Sequence, residues 1–64
     1  MADYAPEVRR ILRAAGWRYD RAGRSDHEVW INPATGKHVT VDAKILSRHT
    51  ANGILKQAGL PKQF

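Results

Sequence analysis

The chain contains no cysteine among its 64 residues. A disulfide framework and a zinc site with cysteine ligands are therefore both excluded. A domain of this length buries only about 60% of the surface that its unfolded chain exposes, so we expect modest stability. Association with a partner protein or with a second copy is one way in which such a domain becomes more stable.

Long apolar runs are also missing from the sequence. No stretch approaches the roughly 20 apolar residues of a membrane-spanning helix, and the first residues show no signal-peptide pattern. The start Met1-Ala2-Asp3 is typical of a cytosolic protein, so we expect a cytoplasmic location. The length predicts one domain over residues 1–64.

Acidic side chains are scarce, since six Asp and Glu face eleven Lys and Arg and the net charge is +5. The imbalance is greatest after Glu28, where Asp42 is the one acidic residue. A basic domain is attracted to polyanions, most often nucleic acid. Charge alone favours nucleic-acid binding only slightly over a merely soluble basic protein. The five basic residues of this part are Lys37, Lys44, Arg48, Lys56 and Lys62.

Two segments carry apolar residues at helical spacing, which predicts helices over about residues 6–15 and 50–58. Each segment is followed by a glycine that can end a helix. Ser47 and Thr50 are both candidate caps for the second helix. Gly53 inside that helix is interpreted as the mark of a close contact with a neighbouring element. The apolar positions are Val8, Ile11, Leu12 and Ala15 in the first segment and Ala51, Ile54, Leu55 and Ala58 in the second.

Three short segments between the helices have the alternation and turn residues of β-strands, over about residues 17–21, 27–32 and 37–42. Pro33-Ala34-Thr35-Gly36 is a strong hairpin turn. The resulting order α-β-β-β-α predicts an α+β fold. In its simplest packing, two helices cover one face of a three-stranded antiparallel sheet and leave the other face open.

The second strand permits two orientations. If Val29 and Ile31 belong to the core, His27 points inward and Trp30 points outward. If Trp30 belongs to the core, His27 points to the open face. The size of tryptophan favours the second arrangement, whereas two β-branched residues favour the first, and periodicity leaves both open.

His27 stands where a turn, Arg24-Ser25-Asp26, becomes a strand. Histidine can give and take a proton near neutral pH. On a basic surface, such a side chain could face a phosphodiester. By sequence pattern alone, however, a lone histidine is more often a hydrogen-bonded structural residue.

Three stretches of the chain resemble a known family when they are taken in order. They are Leu-Arg-Ala-Ala-Gly-Trp at 12–17, Arg-Ser-Asp-His at 24–27 and Ile-Leu-Lys-Gln-Ala-Gly-Leu at 54–60. The chain resembles the HicA family of bacterial toxins, the RNA-cleaving halves of toxin–antitoxin pairs. The resemblance extends from about Val8 to Leu60.

The resemblance implies a double-stranded-RNA-binding-domain-like fold, cleavage of mRNA and a HicB-type antitoxin as partner. It also implies that His27 is the catalytic residue on the open face, which requires Trp30 in the core. Two positions depart from the family. Arg24 replaces a glycine of the turn, and Asp42 stands where many relatives have proline. We expect the acid at Asp42 to weaken the local positive field.

Cleavage of RNA needs a base for the 2′-hydroxyl, an acid for the departing 5′-oxygen and cations for the phosphorane. It needs no metal in principle, so no cofactor is expected. His27 could act as base or acid but not as both at once, and the second proton carrier is not identified.

Four further residues are candidates for RNA contacts: Arg24, Ser25, Lys37 and Lys44. The two lysines are interpreted as phosphate contacts, and Ser25 as a residue that positions the phosphate or His27. Asp26 is interpreted as a turn and strand cap, because a carboxylate repels phosphate.

The other two histidines and the two tryptophans are not predicted to be site residues. His38 and His49 lack acidic or cysteine neighbours at a recognised metal-ligand spacing, so no metal site is predicted. Trp17 and Trp30 could stack on bases, but one aromatic residue per strand in so small a domain is more often core.

Two functions compete with that of an RNA-cleaving toxin. A non-catalytic RNA-binding module of the same fold would bind RNA in a salt-sensitive way and leave it intact. An interaction protein would use its sheet or its first helix to bind an acidic partner.

Overall fold

The computed structural model describes residues 3–64, so Met1 and Ala2 of the predicted cytosolic start lie outside the described residues. Its elements follow the predicted α-β-β-β-α order of an α+β fold, which is consistent with a double-stranded-RNA-binding-domain-like arrangement. None of the helices within residues 3–64 is long and apolar enough to cross a membrane. The elements are α1 (Ala5–Ala14), β1 (Arg18–Ala22), β2 (His27–Asn32), β3 (Lys37–Asp42) and α2 (Arg48–Gln57).

Both helices end at a glycine in the left-handed region, Gly16 at φ +93° and Gly59 at φ +76°. In α1 the N–H of Trp17 donates to the carbonyl of Leu12 at 2.9 Å, and the equivalent bond in α2 is 2.8 Å. This is the Schellman arrangement, which satisfies carbonyls that the helix leaves free. The turn after α1 therefore leads directly into β1 through the buried Trp17.

The start of α2 differs from the prediction. Ser47 is its N-cap, because its side chain accepts a hydrogen bond from the N–H of His49 at 3.1 Å. The helix therefore begins at Arg48, two residues before the predicted start at Thr50. Ser and Thr are both favoured at the N-cap, so the residue type alone did not decide between positions 47 and 50.

The sheet has the strand order β1-β2-β3, and both pairs are antiparallel. Trp30 lies opposite Val39 on one side and Tyr19 on the other, while His27 lies opposite Asp42. Directly opposed residues project to the same face of a sheet, and alternate residues project to opposite faces. The register therefore places His27 and Asp42 on the face away from Trp30.

Trp30 is the largest fully buried side chain and is 1% exposed. Val29 and Ile31 are only partly buried. The second of the two arrangements that the sequence left open is therefore the observed one, and both helices pack on the Trp30 face. The buried core consists of Ala5, Val8, Leu12, Trp17, Trp30, Val39, Val41, Ile45, Ala51, Ile54 and Leu55.

Polar contacts attach α1 to the sheet above Trp30. Glu28 Oε1 accepts hydrogen bonds from Trp30 Nε1 at 2.9 Å and from Arg9 Nε at 3.2 Å. Arg9 also donates to the carbonyl of Ala43 at 3.2 Å. The guanidinium of Arg13 lies 5.2 Å from the centroid of the Trp30 ring, within the range of a cation–π contact. Arg9 and Arg13 thus pack α1 onto the sheet.

Asp3 joins the beginning of α1 to the segment between β3 and α2. Its Oδ1 accepts hydrogen bonds from the N–H groups of Ile45 and Ala5, both at 3.0 Å. These two backbone hydrogen bonds hold the pKa of Asp3 below its ordinary value. The carboxylate therefore fixes the edge of the core where Ile45 is buried.

Replacing Gly53 with alanine is expected to raise the free energy of unfolding by about 1 kcal/mol, because glycine is a poor helix former. A Cβ at this position would meet nothing within 4 Å, so the expectation that Gly53 marks a close contact is wrong. Thermal unfolding followed by circular dichroism should show a melting temperature higher by about 4–8 °C. Gly59→Ala is the control, and it should lower stability because φ is +76° there. A lower melting temperature for Gly53→Ala would contradict the prediction.

Candidate active site

The turn between β1 and β2 holds the backbone of His27. The N–H of His27 donates to the carbonyl of Arg24 at 2.9 Å, and the N–H of Gly23 donates to the carbonyl of His27 at 2.8 Å. Ser25 has φ +54° and is the one non-glycine residue with positive φ within residues 3–64. In this turn, therefore, the backbone conformation that favours glycine is found at Ser25. The resemblance had suggested position 24, where the family has a glycine and this chain has Arg24.

Gly23 lies very close to His27. A Cβ on Gly23 would be 3.3 Å from the carbonyl oxygen of His27 and 3.5 Å from its Cβ. On the opposite side, the N–H of Ala43 donates to the carbonyl of Asp26 at 2.8 Å, which continues the β2–β3 pairing beyond the strand ends. The backbone that carries the histidine is thus held from both neighbouring strands, which is what precise placement of a reactive side chain requires.

The imidazole of His27 lies on the open face of the sheet, and its side chain is 44% exposed. Its Nδ1 is 2.9 Å from Oδ1 of Asp42, whose side chain is 39% exposed. Since Nδ1 is directed at the carboxylate, Nε2 on the other side of the ring is the nitrogen available to a ligand. An exposed imidazole in this position can exchange a proton with a bound molecule.

A cavity of about 360 Å³ adjoins His27. Arg24 contributes a positive charge to it, Thr40 a hydroxyl and Val29 an apolar wall. Ligand sites commonly combine such a concave surface with a few polar groups. Gly23, Val29 and Thr40 also line this cavity and were not predicted as site residues. The strand register could have found the last two, since Val29 is two residues from His27 on the same face and Thr40 lies opposite Val29.

Three of the four predicted RNA contacts lie at the same end of the sheet as His27. Arg24 lines the cavity together with His27. Ser25 is exposed in the turn and does not line the cavity. Lys44 is exposed two residues beyond the end of β3. Only Arg24 is thus brought into the same cavity as the histidine.

Lys37 lies at the other end of the sheet. It is opposite Asn32, which shares the Trp30 face, whereas Asp42 is opposite His27. Lys37 is five residues from Asp42 along β3, which corresponds to about 17 Å at roughly 3.4 Å per residue. The structure therefore does not bring Lys37 to the histidine.

His38 shares the open face with His27, and its Nε2 is 3.5 Å from Oδ2 of Asp20. It lies opposite Ile31, four residues from His27 along β2, or about 13 Å away. Each imidazole also has its own aspartate neighbour, Asp42 for His27 and Asp20 for His38, so the two rings are held at different places on the face. The structure therefore does not bring His38 into the cavity at His27.

His49 lies on α2, behind the sheet, and lines a separate cavity of about 440 Å³ together with Lys56 and Lys62. None of the predicted site residues lines this cavity. Within residues 3–64, no group of three or more His, Asp or Glu side chains is arranged to hold a metal ion.

The fold and the site define a small basic α+β protein with an exposed histidine on the open face of its sheet. Residues 5–60 match the family model described as HicA toxin of bacterial toxin-antitoxin. The chain belongs to this family, and it is therefore a toxin of a toxin–antitoxin system, to which an antitoxin partner also belongs. Comparisons with curated proteins and with solved structures give no match.

Proposed function

We propose that this toxin is a metal-independent endoribonuclease that cleaves mRNA, with His27 as its general acid–base residue. The observation that supports the proposal is the exposed imidazole of His27 at the edge of the cavity lined by Arg24 and Thr40. The net charge of +5 favours binding of a polyanion. Family membership supports the role of toxin.

RNA supplies its own nucleophile, the 2′-hydroxyl. In the proposed reaction, Nε2 of His27 removes the 2′-hydroxyl proton while the oxygen attacks the adjacent phosphorus. The guanidinium of Arg24 stabilises the charge that develops on the phosphorane oxygens. The bond from phosphorus to the 5′-oxygen then breaks. The products are a 2′,3′-cyclic phosphate and a 5′-hydroxyl.

The departing 5′-oxygen must receive a proton from another group. His38 is about 13 Å away along the strand and does not line the cavity at His27, so we do not assign this proton to it. The cavity at His27 is open to solvent, and we assign this step to water. The proton that His27 took from the 2′-hydroxyl stays on Nε2 during cleavage and is released to solvent afterwards.

The predicted RNA contacts divide according to their distance from His27. Arg24 is the proposed contact at the scissile phosphate, and Ser25 and Lys44 contact neighbouring phosphates at the same end of the sheet. Lys37 is a proposed contact to a more distant part of the RNA. Such phosphate contacts make RNA binding weaken steeply as salt concentration rises.

We propose a HicB-type antitoxin as the partner that neutralises the toxin by covering the open face. This face presents the partly buried apolar residues Val29 and Ile31 beside His27. A protein bound there would contact these side chains and exclude RNA from the imidazole.

The proposed function is tested by incubating the purified protein with end-labelled RNA in the presence of EDTA. We expect cleavage that leaves 2′,3′-cyclic phosphate and 5′-hydroxyl ends. An RNA with a single 2′-deoxy nucleotide at the cleaved position should resist, because it lacks the nucleophile. RNA that stays intact after long incubation, but binds in a salt-sensitive way, would contradict the nuclease and support a non-catalytic RNA-binding module.

A further inference from the structure

Asp42 occupies an unusual place for an acid on a surface proposed to bind RNA. It lies directly opposite His27 in the β2–β3 ladder, and the two side chains project to the same face. The distance from Oδ1 to Nδ1 is 2.9 Å, which is the distance of a hydrogen bond. Among the Lys, Arg and His side chains of residues 3–64, His27 alone lies within 4 Å of this carboxylate.

A carboxylate at Nδ1 controls where a neutral imidazole carries its proton. Neutral imidazole has one N–H, and the nitrogen that carries it is set by the partner of the ring. A carboxylate accepts hydrogen bonds but cannot donate them when ionised. Asp42 therefore favours the form in which Nδ1 carries the proton and Nε2 carries the lone pair.

We propose that Asp42 is a positioning residue for His27, which holds the Nδ1–H tautomer and presents Nε2 to the 2′-hydroxyl. This inference rests on the proposed ribonuclease function. Once Nε2 accepts a proton, the carboxylate also stabilises the resulting imidazolium. In the same way, the aspartate of a Ser-His-Asp triad accepts a hydrogen bond from Nδ1–H and orients the histidine.

The electrostatics of the site support a specific role for Asp42. A carboxylate repels the phosphates of RNA, so an acid beside the reacting group opposes substrate binding unless a cation or an N–H accompanies it. The backbone pairing on both sides of His27 fixes the separation of the two strands at this point. The pair at His38 and Asp20 is longer, at 3.5 Å, and lies away from the cavity. It therefore serves as a matched control.

The tautomer can be measured without any activity. The ¹⁵N shifts of His27 should be compared in the wild-type protein, in Asp42→Ala and in Asp20→Ala, at a pH where the ring is neutral. We expect the wild type and Asp20→Ala to show a protonated Nδ1 and an unprotonated Nε2. Asp42→Ala should show a mixture of both tautomers. The same tautomer in all three proteins would overturn the proposal.

The kinetic test uses the same three proteins on one RNA. Asp42→Ala should lower kcat about tenfold, less than in a buried triad because the pair is solvent-exposed. Its KM should stay within about twofold or fall, since a negative charge is removed from the RNA surface. Asp20→Ala should keep kcat within about twofold. Equal losses in both variants, or an effect on KM alone, would overturn the proposal.

The two hypotheses fail in distinguishable ways. A wild-type protein that leaves RNA intact contradicts the ribonuclease function directly. The NMR comparison still decides whether Asp42 sets the tautomer of His27. Circular dichroism should show that both alanine variants fold, because both carboxylates are partly exposed.

Discussion

His27→Ala is expected to lower the rate of RNA cleavage by roughly 10²- to 10⁴-fold, the usual contribution of a general acid–base residue. The variant should remain folded. The side chain of His27 is 44% exposed at the beginning of a strand, and its ion-pair contact is the similarly exposed Asp42. Loss of such a pair changes the free energy of unfolding by about 1 kcal/mol or less.

The measurement is the single-turnover rate of cleavage of one labelled RNA by the wild type, by His27→Ala and by the control His38→Ala. His38 lies on the same face of the sheet, is 43% exposed and is also close to an aspartate. Its replacement should leave the rate within about twofold, because it is about 13 Å from His27 along the strand. In cells, expression of the wild type should arrest growth, whereas His27→Ala should not.

Two outcomes would contradict the catalytic assignment. One is cleavage by His27→Ala at the parental rate. The other is an equal loss in His38→Ala, which would show that the loss of any imidazole from this face impairs cleavage.

The positions of the helices and their C-terminal ends were predictable because local rules determine them. Apolar residues at i, i+3, i+4 and i+7 predicted the buried side of each helix, and Val8, Leu12, Ala51 and Leu55 are fully buried. Ala15 is the exception, since α1 ends at Ala14 and Ala15 is exposed. The glycine stops were predictable because only glycine adopts the left-handed conformation at low cost.

The orientation of β2 was not predictable from its own residues. Both faces of this strand carry apolar side chains, so periodicity could not rank them. Trp30 meets residues from distant parts of the chain: it shares the core with Leu12 of α1, and the guanidinium of Arg13 lies over its ring. The last residue of the chain also packs on the domain, because Asn52 forms hydrogen bonds with both backbone groups of Phe64.

The site was only partly predictable for a similar reason. The resemblance pointed to His27, and the turn residues placed Arg24 beside it in sequence. Asp42 and Thr40 approach His27 only through the pairing of β2 with β3, so their relation to the histidine depends on the register. In the same register, Lys37 lies at the end of the sheet away from His27. Its position in the hairpin had suggested a contact with the RNA phosphates.

Trp30→Ala is expected to unfold most of the protein at 37 °C. Trp30 is 1% exposed, and its replacement leaves a cavity between α1 and the sheet. Such a substitution costs about 3–5 kcal/mol. A chain of 64 residues has a total stability of about 3–10 kcal/mol, at roughly 0.05–0.15 kcal/mol per residue. The loss is therefore comparable to the whole stability of the domain.

Contacts around the ring add to this loss. Without the indole, Glu28 Oε1 keeps Arg9 as a partner but loses the Nε1–H donor at 2.9 Å. Arg13 also loses the ring over which its guanidinium lies. Trp30→Phe should therefore be intermediate, because it retains most of the apolar volume but not the donor.

Urea and thermal unfolding followed by far-ultraviolet circular dichroism would measure the effect. Tyr19→Ala is the control, since Tyr19 lies opposite Trp30 on the same face but is 50% exposed. Its replacement should cost about 1 kcal/mol or less. A melting temperature of Trp30→Ala within a few degrees of the wild type would contradict the placement of this residue at the centre of the core. The assignment of His27 to the open face would then also be wrong. His27 and Trp30 both lie on β2, and residues an odd number of positions apart in a strand point to opposite faces.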